Sequence, residues 1–124
     1  MPWTALASIL MGLGVAAGAF GAHALKARFS PYAMSIWEKA VLYHFFHAIG
    51  LMIVSILPRL QALAQGSADT ICTLLLAGVI LFSGSLYALA ITGVPTLGAI
   101  TPVGGVAFLA AWFLLAFRLL QHRP

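Results

Sequence analysis

Four apolar stretches, each long enough to cross a bilayer as a helix, follow one another along this chain with only short polar links between them. About 20 consecutive apolar residues cover the hydrocarbon core at the helical rise of about 1.5 Å per residue. The fold class that follows is all-α, an integral membrane protein with four transmembrane helices in an up-down bundle. One domain covers residues 1–124, with helices at about 3–25, 31–57, 69–91 and 101–120. Composition points the same way: 63% of the residues are hydrophobic, 6% are charged, and the mean hydropathy is +1.09. Globular proteins carry about 25% charged residues, and a water-soluble domain of this length has too little polar surface to cover so much apolar area.

The links carry helix punctuation. Ser30-Pro31 reads as a cap followed by proline at the first helical position, Thr101-Pro102 repeats that signal, and Asp69 is the expected N-cap of the third helix. Pro58 closes the second helix, and Gly93, Pro95 and Gly98 mark a loop before the fourth. Short links make consecutive helices antiparallel neighbours. Ala22-His23-Ala24 has the look of a signal-peptidase site, but no Lys or Arg precedes the first run, and the run exceeds the roughly 7–15 residues of a signal core. It is therefore expected to be retained as a span. The six basic residues, Lys26, Arg28, Lys39, Arg59, Arg118 and Arg123, are scattered at helix ends. They suit lipid headgroups and form no patch for nucleic acid. Three fall on each membrane side, a tie under the positive-inside rule; the arginines that end the chain favour cytoplasmic termini. The one cysteine, Cys72, lies in an apolar run and reads as a packing residue.

Up-down topology brings the end of helix 1, the start of helix 2, the end of helix 3 and the start of helix 4 to one membrane side. The unusual side chains gather in that half: His23, Tyr43, His47, Ser83, Ser85, Tyr87 and Thr101, with Glu38 and His44 beside them. Tyr43 and His47 share a helical face by i,i+4 spacing, as do Ser83 and Tyr87. These four are expected to form one hydrogen-bonded cluster between helices 2 and 3. Such a cluster serves either as glue between helices or as a ligand pocket, since polar groups within a bilayer have both uses. Gly14-x-x-x-Gly18, Gly84-x-x-x-Ala88 and Gly104-Gly105 are small-residue contacts of the kind that close membrane bundles. Gly18 is expected at a close contact, and Leu75 is expected to face lipid. His44 and His47, with His23 as a third ligand, form a conceivable metal set, but no acid or cysteine completes it. No catalytic residue, metal or cofactor is predicted. Paired carboxylates, nucleophile motifs and phosphate loops are missing from the sequence.

Gly18-Ala19-Phe20-Gly21-Ala22-His23, Tyr43-x-x-Phe46-His47-Ala48, Leu81-Phe82-Ser83-Gly84-Ser85-Leu86-Tyr87 and Thr101-Pro102-Val103-Gly104-Gly105 occur in that order. On these motifs the chain resembles the YgdD-like family of small bacterial inner-membrane proteins, a domain of unknown function. The resemblance implies a multi-pass inner-membrane protein with four helices. His23 and His47 match its motifs and His44 does not. The expected role is a binding or permeation module for a small molecule or lipid; the alternative is an accessory subunit, or a homo-oligomer, within a larger membrane assembly. Membrane lipid is the partner common to both.

Overall fold

A computed structural model describes residues 1–123. Four helices account for nearly all of them: α1 (Trp3–Leu25), α2 (Pro31–Leu60), α3 (Gln65–Thr92) and α4 (Pro95–Gln121), each long and apolar enough to cross a membrane. α2 begins where Ser30 caps it: the Ser30 hydroxyl accepts from the Ala33 N–H at 3.1 Å, and Pro31 follows at the first helical position. α3 begins at Gln65, more than a turn before Asp69, so Asp69 is not its N-cap. The Asp69 carboxylate instead accepts from Trp3 Nε1–H at 2.8 Å and from the Gln65 amide at 3.0 Å, tying the start of α1 to α3. α3 ends at Gly93, whose φ of 69° is a left-handed conformation that glycine adopts without a Cβ penalty, and its N–H closes onto the Leu89 carbonyl at 2.8 Å.

α2 and α3 form the centre. α1 packs chiefly on α2, α4 chiefly on α3, and the outer two lie on opposite flanks without appreciable contact with each other. The most apolar window of α1 or α4 is 17% buried, against 39% for α2 or α3, so the flanking helices give most of their surface to lipid. Two apolar clusters fill the interior. One joins Trp3, Leu51, Val54, Ile71, Cys72 and Leu75 near the termini; the other joins Leu25, Ile36, Trp37, Ala40, Leu86 and Ala90 near the first and third links. Leu75 is fully enclosed in the first cluster and does not face lipid.

Glycine governs how closely the helices approach, at Gly14 and Gly104 as expected but not at Gly18 or Gly84. A Cβ on Gly18 would lie 3.6 Å from Val41 Cγ1, an ordinary contact, and one on Gly84 would meet nothing nearer than the Val79 carbonyl at 4.0 Å. The tight positions are Gly14 against Phe45, Gly21 against Trp37, Gly50 against Trp112, Gly78 against Phe108 and Gly104 against the Phe82 backbone. Two π-helical turns interrupt the spans, at Gly21–Leu25 in α1 and Val79–Ser83 in α3. The second widens α3 by one residue, and Gly104 seats against the backbone of that widened turn.

Candidate functional site

The side chains expected to form one cluster resolve into separate arrangements, and the residue that joins three helices is His44. Its Nε2 lies 2.7 Å from the Leu10 carbonyl of α1, and its Nδ1 lies 2.8 Å from the Tyr87 hydroxyl of α3. A carbonyl can only accept, so Nε2 carries the proton, and in the neutral ring Nδ1 accepts from Tyr87. Every polar atom of this buried imidazole is satisfied within the protein. His44 belongs to the stripe of buried positions Ile36, Trp37, Ala40, His44, His47, Ala48, Leu51 and Val54 that α2 turns toward its neighbours.

Ser83 donates to the Ala40 carbonyl at 2.8 Å, joining α3 to α2. Ser85 donates to the Phe82 carbonyl at 2.9 Å, so the 2.6 Å bond between the Ser85 and Thr101 hydroxyls takes its proton from Thr101 and joins α3 to α4. Trp37 donates to the Ala17 carbonyl at 2.9 Å, and its ring lies 4.6 Å from that of Tyr87. His23 is exposed in the π turn that ends α1 and joins none of these bonds. Among the described residues, no three of His, Cys, Asp and Glu stand close enough to hold a metal ion.

His47 faces the other way. It makes no hydrogen bond to Ser83 or Tyr87; its ring stacks on Phe108 of α4 with centroids 3.5 Å apart and planes 13° from parallel, and lies 5.8 Å from the Trp112 ring. Tyr43, one turn earlier on α2, stacks parallel to His47 at 6.0 Å and leans on Phe82 at 4.5 Å. His47 Nδ1 lies 2.7 Å from the Tyr43 carbonyl and must donate to it, which leaves Nε2 of the neutral ring as an acceptor. Nε2 has no hydrogen-bond partner among the described residues. Among the described residues no fully enclosed side-chain N or O lacks a partner, so Nε2 reaches the surface although the residue as a whole is only 7% exposed.

That surface is a groove between α2 and α4. Two cavities share Tyr43, His47 and Trp112 in their walls: one of about 430 Å³ extends along α2 past Phe46 and Gly50, and one of about 450 Å³ extends along α4 past Phe82, Gly105 and Val106. Phe46 and Val106 at the rims are exposed, so both cavities open on the lipid-facing side. His47 is close to the middle of the 30-residue α2. At about 1.5 Å per residue the groove therefore centres near the bilayer midplane. The sequence pattern marked Tyr43 and His47 but not Phe108 or Trp112.

Four apolar spanning helices around a polar middle layer define a multi-pass integral membrane protein. Residues 17–105 match the family described as "Protein of unknown function (DUF423)". The chain is 42% identical over 111 residues to the UPF0382 membrane protein YwdK of Bacillus subtilis, covering 89% of each. It is 44% identical over 110 residues to the UPF0382 membrane protein SH2409 of Staphylococcus haemolyticus, covering 89% of this chain and 88% of that one. The chain belongs to this family of bacterial membrane proteins. No solved structure matches it.

Proposed function

We propose that this protein is a membrane-embedded binding module that takes a small apolar molecule sideways from the lipid into the α2–α4 groove. The observation that carries this reading is the state of His47: a buried imidazole at the groove floor, one nitrogen bound to the Tyr43 carbonyl and the other left without a partner. A polar atom facing hydrocarbon with nothing to bond is costly, and ionisable residues inside membranes mark sites more often than they decorate them. His44, three residues away, supports the reading by contrast, since both of its nitrogens are used to join helices. Binding sites for small molecules are clefts of about 300–1,000 Å³ with apolar walls and a few polar groups. Either cavity meets that description.

The test is native mass spectrometry of the protein released from its own membrane in mild detergent, with untargeted analysis of the small molecules that accompany it. A defined adduct is expected on the wild type, is lost in His47→Phe and is diminished in Val106→Trp, which crowds the wall of the α4-side cavity. An adduct retained at full occupancy in both variants, or a wild type that carries only bulk phospholipid, refutes the assignment.

A further inference from the structure

We infer that the molecule held in the α2–α4 groove presents a ring hydroxyl, a phenol or hydroquinone head, whose O–H donates to His47 Nε2. This rests on the groove being a binding site, and three observations narrow its occupant. The first is the tautomer. The Tyr43 carbonyl fixes the proton on Nδ1, so in the neutral ring Nε2 offers only a lone pair and the ligand must be the donor.

The second is depth. A groove at mid-bilayer lies about 15 Å from either headgroup layer, so the hydroxyl has to belong to a molecule apolar enough to carry it there; a phospholipid headgroup stays at the interface. The third is the lining. Tyr43, Phe46, Phe82, Phe108 and Trp112 supply aromatic walls, and no Lys, Arg, Asp or Glu borders either cavity. Aromatic walls favour a flat ring held edge-on or offset, and nothing there balances a charged head.

The experiment uses the full chain in phospholipid nanodiscs and two probes of matched shape, 4-hexylphenol and its methyl ether 4-hexylanisole. Saturable binding is measured for each, and imidazole ¹⁵N resonances are followed in histidine-labelled protein. The phenol is expected to bind about tenfold more tightly, the worth of one hydrogen bond to a buried acceptor. It should shift the His47 Nε2 resonance upfield while those of His44, whose nitrogens are already bonded, stay in place. His47→Phe should bring the two probes to equal affinity; should that variant not fold, the wild-type Nε2 shift decides alone. Equal saturable binding of both probes with Nε2 unmoved overturns the donor assignment and leaves the groove reading standing. Failure of both probes to saturate overturns the groove reading, and the ring-hydroxyl assignment falls with it.

Discussion

Replacing Gly104 with alanine should push α4 away from α3, while the same change one residue later should strengthen the bundle. A Cβ on Gly104 would lie 2.7 Å from Phe82 Cα and 2.8 Å from Leu81 C, both backbone atoms of the π turn that cannot rotate aside. On Gly105 it would lie 3.8 Å from Phe82 Cδ2, an ordinary contact. Overpacking against an unyielding neighbour costs about 3 kcal/mol, at the upper end of the usual range. Alanine regains about 1 kcal/mol over glycine inside a helix. Gly104→Ala is therefore expected to destabilise by about 2 kcal/mol, and Gly105→Ala to stabilise by about 1 kcal/mol. Reversible unfolding in mixed micelles titrated with a denaturing detergent, followed by far-ultraviolet circular dichroism, measures both. Because the two substitutions are chemically identical and adjacent, differences in expression or micelle affinity cancel. Stabilities within about 0.5 kcal/mol of each other, the scatter of an unremarkable surface change, would refute the close α3–α4 approach.

Leu75→Ala should cost about 2–4 kcal/mol in the same titration, since a fully enclosed leucine leaves a cavity; a neutral result would return Leu75 to the lipid face. His44→Phe and Tyr87→Phe combined in a double-mutant cycle should show a coupling of about 0.6–1.7 kcal/mol, between the average and the maximum measured for hydrogen bonds between membrane helices, and strict additivity would deny the bond. Trp3→Phe should speed amide exchange at the start of α1, because it removes the donor that ties this helix to Asp69; unchanged protection there would mean that packing alone holds it.

What was legible in the sequence was what hydropathy and helix chemistry control directly. Four spans, the Ser30-Pro31 start and the glycine stop at Gly93 each follow from local residues acting on their own backbone. What was not legible depended on azimuth. A membrane helix is apolar on every side, so a lipid-facing leucine and an enclosed one look alike, and Leu75 was placed on the wrong face for that reason. The GxxxG pattern was right by half: Gly14 sits tightly against Phe45, but Gly18 meets only Val41 at an ordinary distance, whereas Gly21 and Gly78, outside the pattern, face the Trp37 and Phe108 rings. The decisive property is the bulk of the partner opposite each glycine, and no single helix encodes it. Asp69 shows a third cause. A carboxylate near a helix start satisfies the cap rule, but a tryptophan distant in sequence claimed it instead.

The two histidines of α2 show why i,i+4 spacing alone does not tell which neighbouring helix a side chain meets. Residues three apart on a helix differ by about 60° in azimuth. On a flanking helix that shift keeps both side chains against the same neighbour. α2 is central, bounded by α1, α3 and α4, and there the shift carries the side chain from one interface to another. His44 falls between α1 and α3 and finds a carbonyl and a hydroxyl within reach. His47 falls against α4, where Phe108 offers a face to stack on and no polar group to bond. Its Nδ1 can turn back only to the Tyr43 carbonyl of its own helix, which leaves Nε2 directed out of the pair. The width of the opening beside it is set by glycines: Gly50 admits the Trp112 ring, Gly78 admits Phe108, and Gly104 draws α4 onto the π turn of α3. Enlarging any of the three would move the groove wall without altering a polar atom. On the proposed reading, binding and packing are therefore separable at His47 and inseparable at the glycines that frame it.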